Sequence, residues 1–379
     1  FEESPFYTKY HGFMCLSEAT LTEDDFSLFR VLGRGGFGLV NGCKKCTSGK
    51  LFAMKVMDKR RIKMKKSESL CVNERNILAL VDSPFIVNLK YAFSTRTELF
   101  LILDLMTGGD LGFLLHRLGR LQIDHARFYS ARTLLGIAAL HERNIVYRDL
   151  KPDNILMDDR GYSRISDLGL SCRVPSSGLA GACGTRGYWA PEMIRRDEQG
   201  NRIRYFLSVD WFSFGCMLYE FIHGVSPFRT ETARKWGGRD KADRDKAIDQ
   251  ATLEMEPEFD MTVFDEDSRD ICTKLLCKDP AHRLGTNGPQ EIMDHPFFSK
   301  HLNWSDFKYG RTPPPMVPAK DLNMASQAEI GMFNDDKISK KIDLEERDHE
   351  VFDSWDFVNK KAFQEEVVGF MRYEEIHVS

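Results

Sequence analysis

Eight residues concentrate most of the chemistry in this chain: Tyr147-Arg148-Asp149-Leu150-Lys151-Pro152-Asp153-Asn154. They follow an apolar, helix-like stretch ending near Leu140-His141 and precede a short strand-like run, Ile155-Leu156-Met157. Asp167-Leu168-Gly169 comes next. Packing does not explain that density of polar groups; a site that handles phosphate and metal does. Phosphoryl transfer needs a carboxylate to orient and deprotonate a hydroxyl, a cation near the moving group, and oxygen ligands for magnesium. Asp149 suits the first task, and Lys151 the second. Asn154 and Asp167 offer oxygens to a hard cation that keeps several waters and takes few protein ligands. A positioned base is worth roughly 10²–10⁴ in rate. The alternative is a polar loop whose Asp and Asn cap local turns.

The elements that must position these groups are legible from pattern. Phe26 to Leu32 reads as a strand, followed by Gly33-Arg34-Gly35-Gly36-Phe37-Gly38-Leu39-Val40 and a second strand to about Lys45. Leu51 to Met57 is a third strand after the turn Thr47-Ser48-Gly49-Lys50. A G-x-G-x-x-G between two strands, with no helix following, argues against a dinucleotide fold and for a flap over ATP phosphates. Its glycines let backbone N–H groups approach the phosphates. Strand alternation puts Lys55 on one face with Ala53 and Met57, where a lysine needs an anion. Ser67 to Val81 reads as a helix with Leu70, Ile77, Leu78 and Val81 on one stripe, and Glu74 falls on that stripe. A carboxylate there costs several kcal/mol unpaired, so Lys55 and Glu74 suggest each other as partners. The alternative is a glutamate that reaches the surface. Phe85 to Ser94 and Glu98 to Leu105 read as further strands, and the pattern then turns helical. Ile123 to Leu140 is a long periodic segment that carries Phe128, Leu135 and Leu140 inward.

Taken together these motifs resemble the protein kinases. Tyr147 to Asn154 is similar to the catalytic loop His-Arg-Asp-x-Lys-x-x-Asn, with Tyr147 in place of His, and Lys151 resembles the serine/threonine branch. Asp167-Leu168-Gly169 departs from the usual Asp-Phe-Gly. Tyr147, Leu168 and the run Ile165 to Leu170 resemble the G-protein-coupled receptor kinases of the AGC group. The resemblance implies an α+β, bilobal kinase fold: a small antiparallel β lobe with helix C, a larger mainly α lobe, an AGC-type C-terminal tail, and ATP in the cleft between the lobes. It implies a kinase domain over residues 26–298, with lobes 26–105 and 106–298, after an N-terminal extension of 1–25 that docks on the main body. A tail over 299–350 follows, then the last helical part of a regulator-of-G-protein-signalling homology region over 351–379.

The same resemblance implies site roles. Asp149 is the base and Lys151 steadies the γ-phosphate. Lys55, held by Glu74, grips the α- and β-phosphates, and Asn154 and Asp167 hold Mg²⁺. Leu32, Gly33, Arg34, Gly35, Gly36, Phe37, Gly38, Val40 and Ala53 surround ATP. Leu103 is the gatekeeper of a hinge Leu103-Asp104-Leu105-Met106, with the Met106 backbone facing adenine. Gly108-Gly109 permits the crossing between lobes. Asp110 takes the ribose hydroxyls, or caps the helix beginning near Leu111. The activation segment runs from Asp167 to Ala190-Pro191-Glu192. The position four before Thr185 is Gly181, which has no hydroxyl, so the resemblance implies control by docking instead of phosphorylation there. Asp210, in Ser208-Val209-Asp210-Trp211, braces the catalytic-loop backbone, and Arg283 pairs with Glu192.

Bulk properties narrow the classes further. The 379 residues carry 53 Lys and Arg against 57 Asp and Glu, a net charge of −4, which does not favour a nucleic-acid partner. Nine scattered cysteines suggest free thiols in a reducing compartment. Cys43-Lys44-Lys45-Cys46 lacks the second ligand pair of a structural zinc site. No apolar run approaches a membrane span. The start, Phe1-Glu2-Glu3-Ser4-Pro5, has no signal-peptide pattern and no initiating Met, so the chain reads as a fragment or processed form. Lys59 to Lys66 reads as a solvated basic face, or as a contact for anionic lipid or an acidic receptor surface. Arg195 to Arg204 and Thr230 to Ala247 read as charged surface insertions. Pro313 to Pro318 is an extended tether, or a recognition segment, and Glu329 to Asp336 resembles the receptor-kinase segment near the ATP cleft. Phe352 to Phe370 carries Trp355, Phe363, Val367 and Phe370 at roughly helical spacing.

The reading is thus an ATP- and Mg²⁺-dependent serine/threonine kinase, cytoplasmic and recruited to the plasma membrane. The resemblance implies an activated G-protein-coupled receptor as substrate, desensitised by phosphorylation, with G-protein subunits or anionic lipid as further partners. The rivals are an AGC kinase acting on soluble proteins and a non-catalytic kinase-fold scaffold.

Overall fold

The computed structural model describes residues 20–235, 241–318 and 342–377, with Tyr7, Tyr10 and Met14. Most of the N-terminal extension and the Glu329–Asp336 segment lie outside the described residues. The chain divides into two compact units. The first takes described residues within Phe1–Leu80, Asn88–Leu105 and Ala325–Ser379; the second takes those within Val81–Val87 and Met106–Met324.

The first unit is built on an antiparallel sheet. Its strands are β1 (Phe26–Arg34), β2 (Leu39–Lys45), β3 (Leu51–Asp58), β4 (Leu89–Ser94) and β5 (Glu98–Leu103), in the order β1-β2-β3-β5-β4. A further short strand, Phe357–Val358, pairs with β4. One face is closed by Phe26, Phe52, Tyr91, Phe93 and Phe100, with Phe93 and Phe100 stacked at 4.7 Å between centroids. The strand expected over Phe85 to Ser94 begins only at Leu89. The Val87 N–H instead donates to the Ile165 carbonyl at 2.9 Å, inside the second unit.

Two helices, α1 (Lys59–Lys65) and α2 (Glu68–Leu80), complete this sheet unit. Asp58 caps α1 by accepting from the N–H groups of Arg60 and Arg61. The basic run is solvated only at its end, where Lys65 and Lys66 are exposed: Lys59 and Arg61 are buried, Lys59 donates to the Thr95 carbonyl at 2.7 Å, and Lys63 pairs with Asp348 at 2.8 Å. Its cationic heads are drawn to acceptors remote in sequence. In α2 the inward residues are Cys71, Glu74, Ile77 and Leu78, whereas Leu70 is 43% exposed. The expected stripe holds at Glu74, Ile77, Leu78 and Val81, and only at its start does Cys71 take the place given to Leu70.

The C-terminal helix Lys360–His377 buries Ala362 and Glu366 against the sheet. The Glu366 carboxylate accepts from Lys45, from Thr47 at 2.5 Å and from the Tyr91 hydroxyl at 3.0 Å. Trp355 does not share a helical stripe with Phe363 and Val367. It lies before the helix, 1% exposed, and its indole N–H donates to the Phe100 carbonyl at 3.1 Å. The side chain of Phe370 lies outside the described residues.

The second unit is mainly helical. Its centre is α4 (Ile123–His141), preceded by α3 (Leu111–Leu118). From Ala126 to Ala138 every α4 residue is buried, which marks a helix surrounded by protein and not an amphipathic surface helix. Gly136 is required there, because a Cβ would lie 2.7 Å from the Ile165 side chain. The helix α5 (Ser208–His223) is buried along nearly its whole length, and α6 (Lys241–Glu254) and α7 (Glu266–Leu275) follow. Between α4 and α5 run three small antiparallel pairs: β6 (Ile145–Val146) with β9 (Cys172–Arg173), β7 (Ile155–Met157) with β8 (Ser163–Ile165), and β10 (Leu179–Ala180) with β11 (Arg204–Tyr205). The two charged insertions are more than surface loops: one ends in β11, and the other begins α6.

Candidate active site

The short pairs β6–β9 and β7–β8 hold the octapeptide taut between them. Asp149 is surrounded by donors. Its Oδ1 accepts from the Thr185 hydroxyl at 2.7 Å, and its Oδ2 from Lys151 Nζ at 3.1 Å and Asn154 Nδ2 at 3.0 Å. Lys151 Nζ also donates to the Thr185 hydroxyl at 2.7 Å, closing a ring of three side chains. A carboxylate so placed has a fixed orientation and charge compensation, as a base that must meet a hydroxyl requires.

The backbone beneath it is fixed from α5. Asp210 is fully buried and accepts from the N–H groups of Tyr147 and Arg148, each at 2.8 Å, and from His141 Nε2 at 2.8 Å. Arg148 sits at φ 70°, an uncommon conformation for a side chain with a Cβ. Its guanidinium Nε donates to the Leu170 carbonyl at 2.8 Å. Tyr147, which replaces the usual histidine, is fully buried, and its hydroxyl donates to the Ser166 carbonyl at 2.6 Å. Burial pushes that phenol well above its ordinary pKa. Leu168 is also fully buried. The two departures from the usual motif therefore sit in the packing beneath the site. Glu192 and Arg283 form a buried bidentate pair at 2.6 and 2.8 Å.

Asn154 and Asp167 present oxygens of a kind that suits a hard divalent cation. Asn154 spends its amide nitrogen on Asp149, at 2.8 Å to the carbonyl and 3.0 Å to Oδ2, which leaves Oδ1 open. Ser166 donates its N–H to the Asn154 carbonyl at 2.9 Å, bringing the next residue, Asp167, alongside. Asp167 is exposed, with φ 53°, and Oδ1 accepts from the Gly169 N–H at 3.3 Å. One carboxamide oxygen and one carboxylate suit an ion that keeps several waters.

In the first unit, Lys55 Nζ meets Glu74 Oε1 at 2.7 Å, with the lysine side chain 19% exposed and the glutamate 8%. Val40 stands opposite Lys55 in the β2–β3 register, and Ala53 stands opposite Leu103 across β3–β5. Leu32, Gly33 and Arg34 end β1. In the turn that follows, the Gly35 N–H donates to the Gly38 carbonyl at 2.9 Å. Only glycine fits at 38, since a Cβ would lie 1.9 Å from the Val56 carbonyl oxygen. Among the described residues a Cβ at Gly33 would meet no atom within 4 Å, and one at Gly36 would meet Lys65 Nζ at 3.7 Å. Phe37 lies under Lys65, whose Nζ donates to the Gly36 carbonyl at 2.6 Å.

Comparison with known proteins agrees with this geometry. The protein kinase domain family matches residues 26–298. The chain belongs to the protein kinase family. It is 40% identical over 375 residues to the G protein-coupled receptor kinase 2 of Caenorhabditis elegans, covering 97% of this chain and 51% of that protein. It is 42% identical over 353 residues to the beta-adrenergic receptor kinase 1 of Homo sapiens, covering 92% and 49%. The G protein-coupled receptor kinase 2 of Drosophila melanogaster is 41% identical over 327 residues, covering 84% and 44%. The chain spans about half the length of the curated relatives it matches.

The residues expected to form a hinge differ in their contacts. The Asp104 carboxylate is occupied, accepting from the Asn88 N–H at 3.0 Å and pairing with Lys90 at 3.0 Å, and its N–H donates to the Asn88 carbonyl. Among the described residues Met106 has no backbone–backbone hydrogen bond. Gly108 and Gly109 exchange hydrogen bonds with Met157 at 2.8 Å, and a Cβ on Gly108 would lie 2.6 Å from the Asp158 carbonyl oxygen. Asp110 caps α3 by accepting from the Phe113 N–H at 2.7 Å. Burial raises its pKa.

Sequence reasoning missed Thr185, treating it only as a marker for counting. Its place directly after Cys183-Gly184 was the available signal. Gly184, at φ 90°, packs where a Cβ would lie 2.2 Å from the Arg148 carbonyl oxygen, and this contact delivers Thr185 to Asp149. No helix among the described residues is long and apolar enough to cross a membrane.

Proposed function

We propose that this kinase transfers the γ-phosphate of ATP to serine and threonine hydroxyls of protein substrates, with Asp149 as the base. The observation that carries the reading is the closed arrangement of Asp149, Lys151, Thr185 and Asn154. Asp149 orients the acceptor hydroxyl and takes its proton, and Lys151 steadies the γ-phosphate. Lys55, held by Glu74, takes the α- and β-phosphates. The glycine turn Gly33 to Gly38, with Leu32, Val40 and Ala53, covers the nucleotide, and the backbone around Met106 receives adenine. Asp110, which also caps α3, takes the ribose hydroxyls. Asn154 and Asp167 would hold Mg²⁺, which when bound neutralises charge on the phosphates.

The substrate class is an activated G-protein-coupled receptor, whose phosphorylation desensitises it. Support comes from the names of the relatives, two G protein-coupled receptor kinases and a beta-adrenergic receptor kinase, at 40–42% identity. Residues 299–350 then form the AGC-type tail and 351–379 the end of a regulator-of-G-protein-signalling homology region. The protein works in the cytoplasm and is recruited to the plasma membrane.

The test is phosphate transfer from Mg-ATP to a purified receptor, with and without agonist, beside a soluble acidic peptide. Faster transfer to the agonist-bound receptor is expected. Equal rates with and without agonist, and better rates on peptide, would assign the chain to soluble substrates instead.

A further inference from the structure

The insertion Arg195 to Arg204 is a folded arm. Asp197 closes its turn, accepting from the N–H groups of Gln199 at 2.9 Å and Asn201 at 2.8 Å, and Arg196 and Arg202 form a β-bridge behind it. Those bonds hold the Asp197 carboxyl below its usual pKa range. The arm leads directly into β11, which pairs with β10 in the middle of the activation segment, Leu179 opposite Tyr205 and Ala180 opposite Arg204.

Tyr205 is 1% exposed, and its hydroxyl is fully used. It donates to the Gly181 carbonyl at 3.0 Å and accepts from Arg148 Nη1 at 3.4 Å. One oxygen thus joins the residue before Asp149 to the segment four residues before Thr185. Burial keeps the phenol protonated by raising its pKa, so the donor is present at neutral pH. Gly181 adopts φ 90°, a conformation that favours glycine, and the Arg202 guanidinium of the arm lies 2.7 Å from where a Cβ would be. Residue 181 carries no hydroxyl to phosphorylate, and a neutral phenol already occupies the second prong of Arg148.

We infer that Tyr205, delivered by this arm, is a positioning residue that holds the activation segment so that Thr185 meets Asp149 and Lys151 without a phosphate on the segment. The inference rests on the phosphotransfer reading given above. Tyr205 acts through Arg148 and Gly181 and touches neither nucleotide nor substrate.

The test is Tyr205→Phe, which keeps the ring and removes only the hydroxyl, compared with Thr185→Ala and with the double variant. Losing a hydrogen bond that leaves buried partners unsatisfied should lower kcat/KM for protein phosphorylation about tenfold. The loss should fall on kcat, with fluorescent-nucleotide affinity unchanged. If Tyr205 works through Thr185, the double variant loses no more activity than Thr185→Ala alone. Amide hydrogen exchange over residues 179–185 should quicken in Tyr205→Phe while α4 stays protected. Parental kcat/KM together with parental exchange would overturn the inference, and so would strictly additive losses. If the parent itself transfers no phosphate, the phosphotransfer reading fails; unchanged exchange over 179–185 would then reject the brace separately.

Discussion

Two buried cation–carboxylate pairs in this molecule do opposite things. Arg283 and Glu192 are sealed, with side chains 0% and 5% exposed, and share two parallel hydrogen bonds. Arg283 has further acceptors in the Ser208 and Cys277 carbonyls. Lys55 and Glu74 are paired at 2.7 Å, but the lysine keeps 19% of its side chain exposed. The first pair has planar, bidentate geometry and no solvent-facing donor, so it serves as a staple. The second uses a compact ammonium on a flexible stem, which can hold a carboxylate and still turn toward an anion. Burial of the carboxylate does not distinguish these pairs; what separates them is whether solvent reaches the cation.

That contrast can be broken by substitution. Arg283→Met leaves Glu192 buried and uncompensated and should cost about 3–5 kcal/mol of stability, read by urea or thermal unfolding. A variant that unfolds at the parental midpoint would remove the distinction. Glu74→Gln should instead lower phosphate transfer on the order of 10²-fold by misplacing Lys55, with a much smaller change in the unfolding midpoint.

A third buried carboxylate sharpens the comparison through pH. Glu220 accepts from the Tyr188 hydroxyl at 2.5 Å, and Arg229 is near enough to favour its charged form without overcoming burial. Burial raises its pKa to about 7. Because the folded value exceeds the unfolded one, folding favours the protonated form. Its contribution is fully present below pH ~4.5 and is lost as pH rises through about 7. Glu220→Gln should therefore melt higher than the parent above pH 7, with the gap closing toward pH 5. A pH-independent gap would contradict this. The smallest effect is expected at Leu70, which is 43% exposed. Leu70→Gln should change stability by no more than about 0.5 kcal/mol.

How much could be read in advance follows from the range of each interaction. The octapeptide was legible because its base, lysine and carboxamide lie within six residues and bond to one another. Glu74 was legible because a carboxylate on an apolar helix face demands a cation. The first position of that face was not, since Cys71 packs inward as readily as Leu70 and propensity does not choose between them. Lys59 and Arg61 looked solvated because the carbonyls and carboxylates that gather α1 come from Thr95 and Asp348, far along the chain. Trp355 fell outside its expected helix because its partner is a strand carbonyl, that of Phe100. Thr185 and Tyr205 were missed for the same reason: each joins the site through a contact that only the folded chain creates.

The central claim is that Asp149 is the base of a phosphoryl transfer. The most direct test measures γ-phosphate transfer and nucleotide affinity side by side in the parent and in Asp149→Asn. The account predicts that the variant binds ATP with parental affinity and that transfer falls by roughly 10²–10⁴. Equal turnover by variant and parent would contradict it.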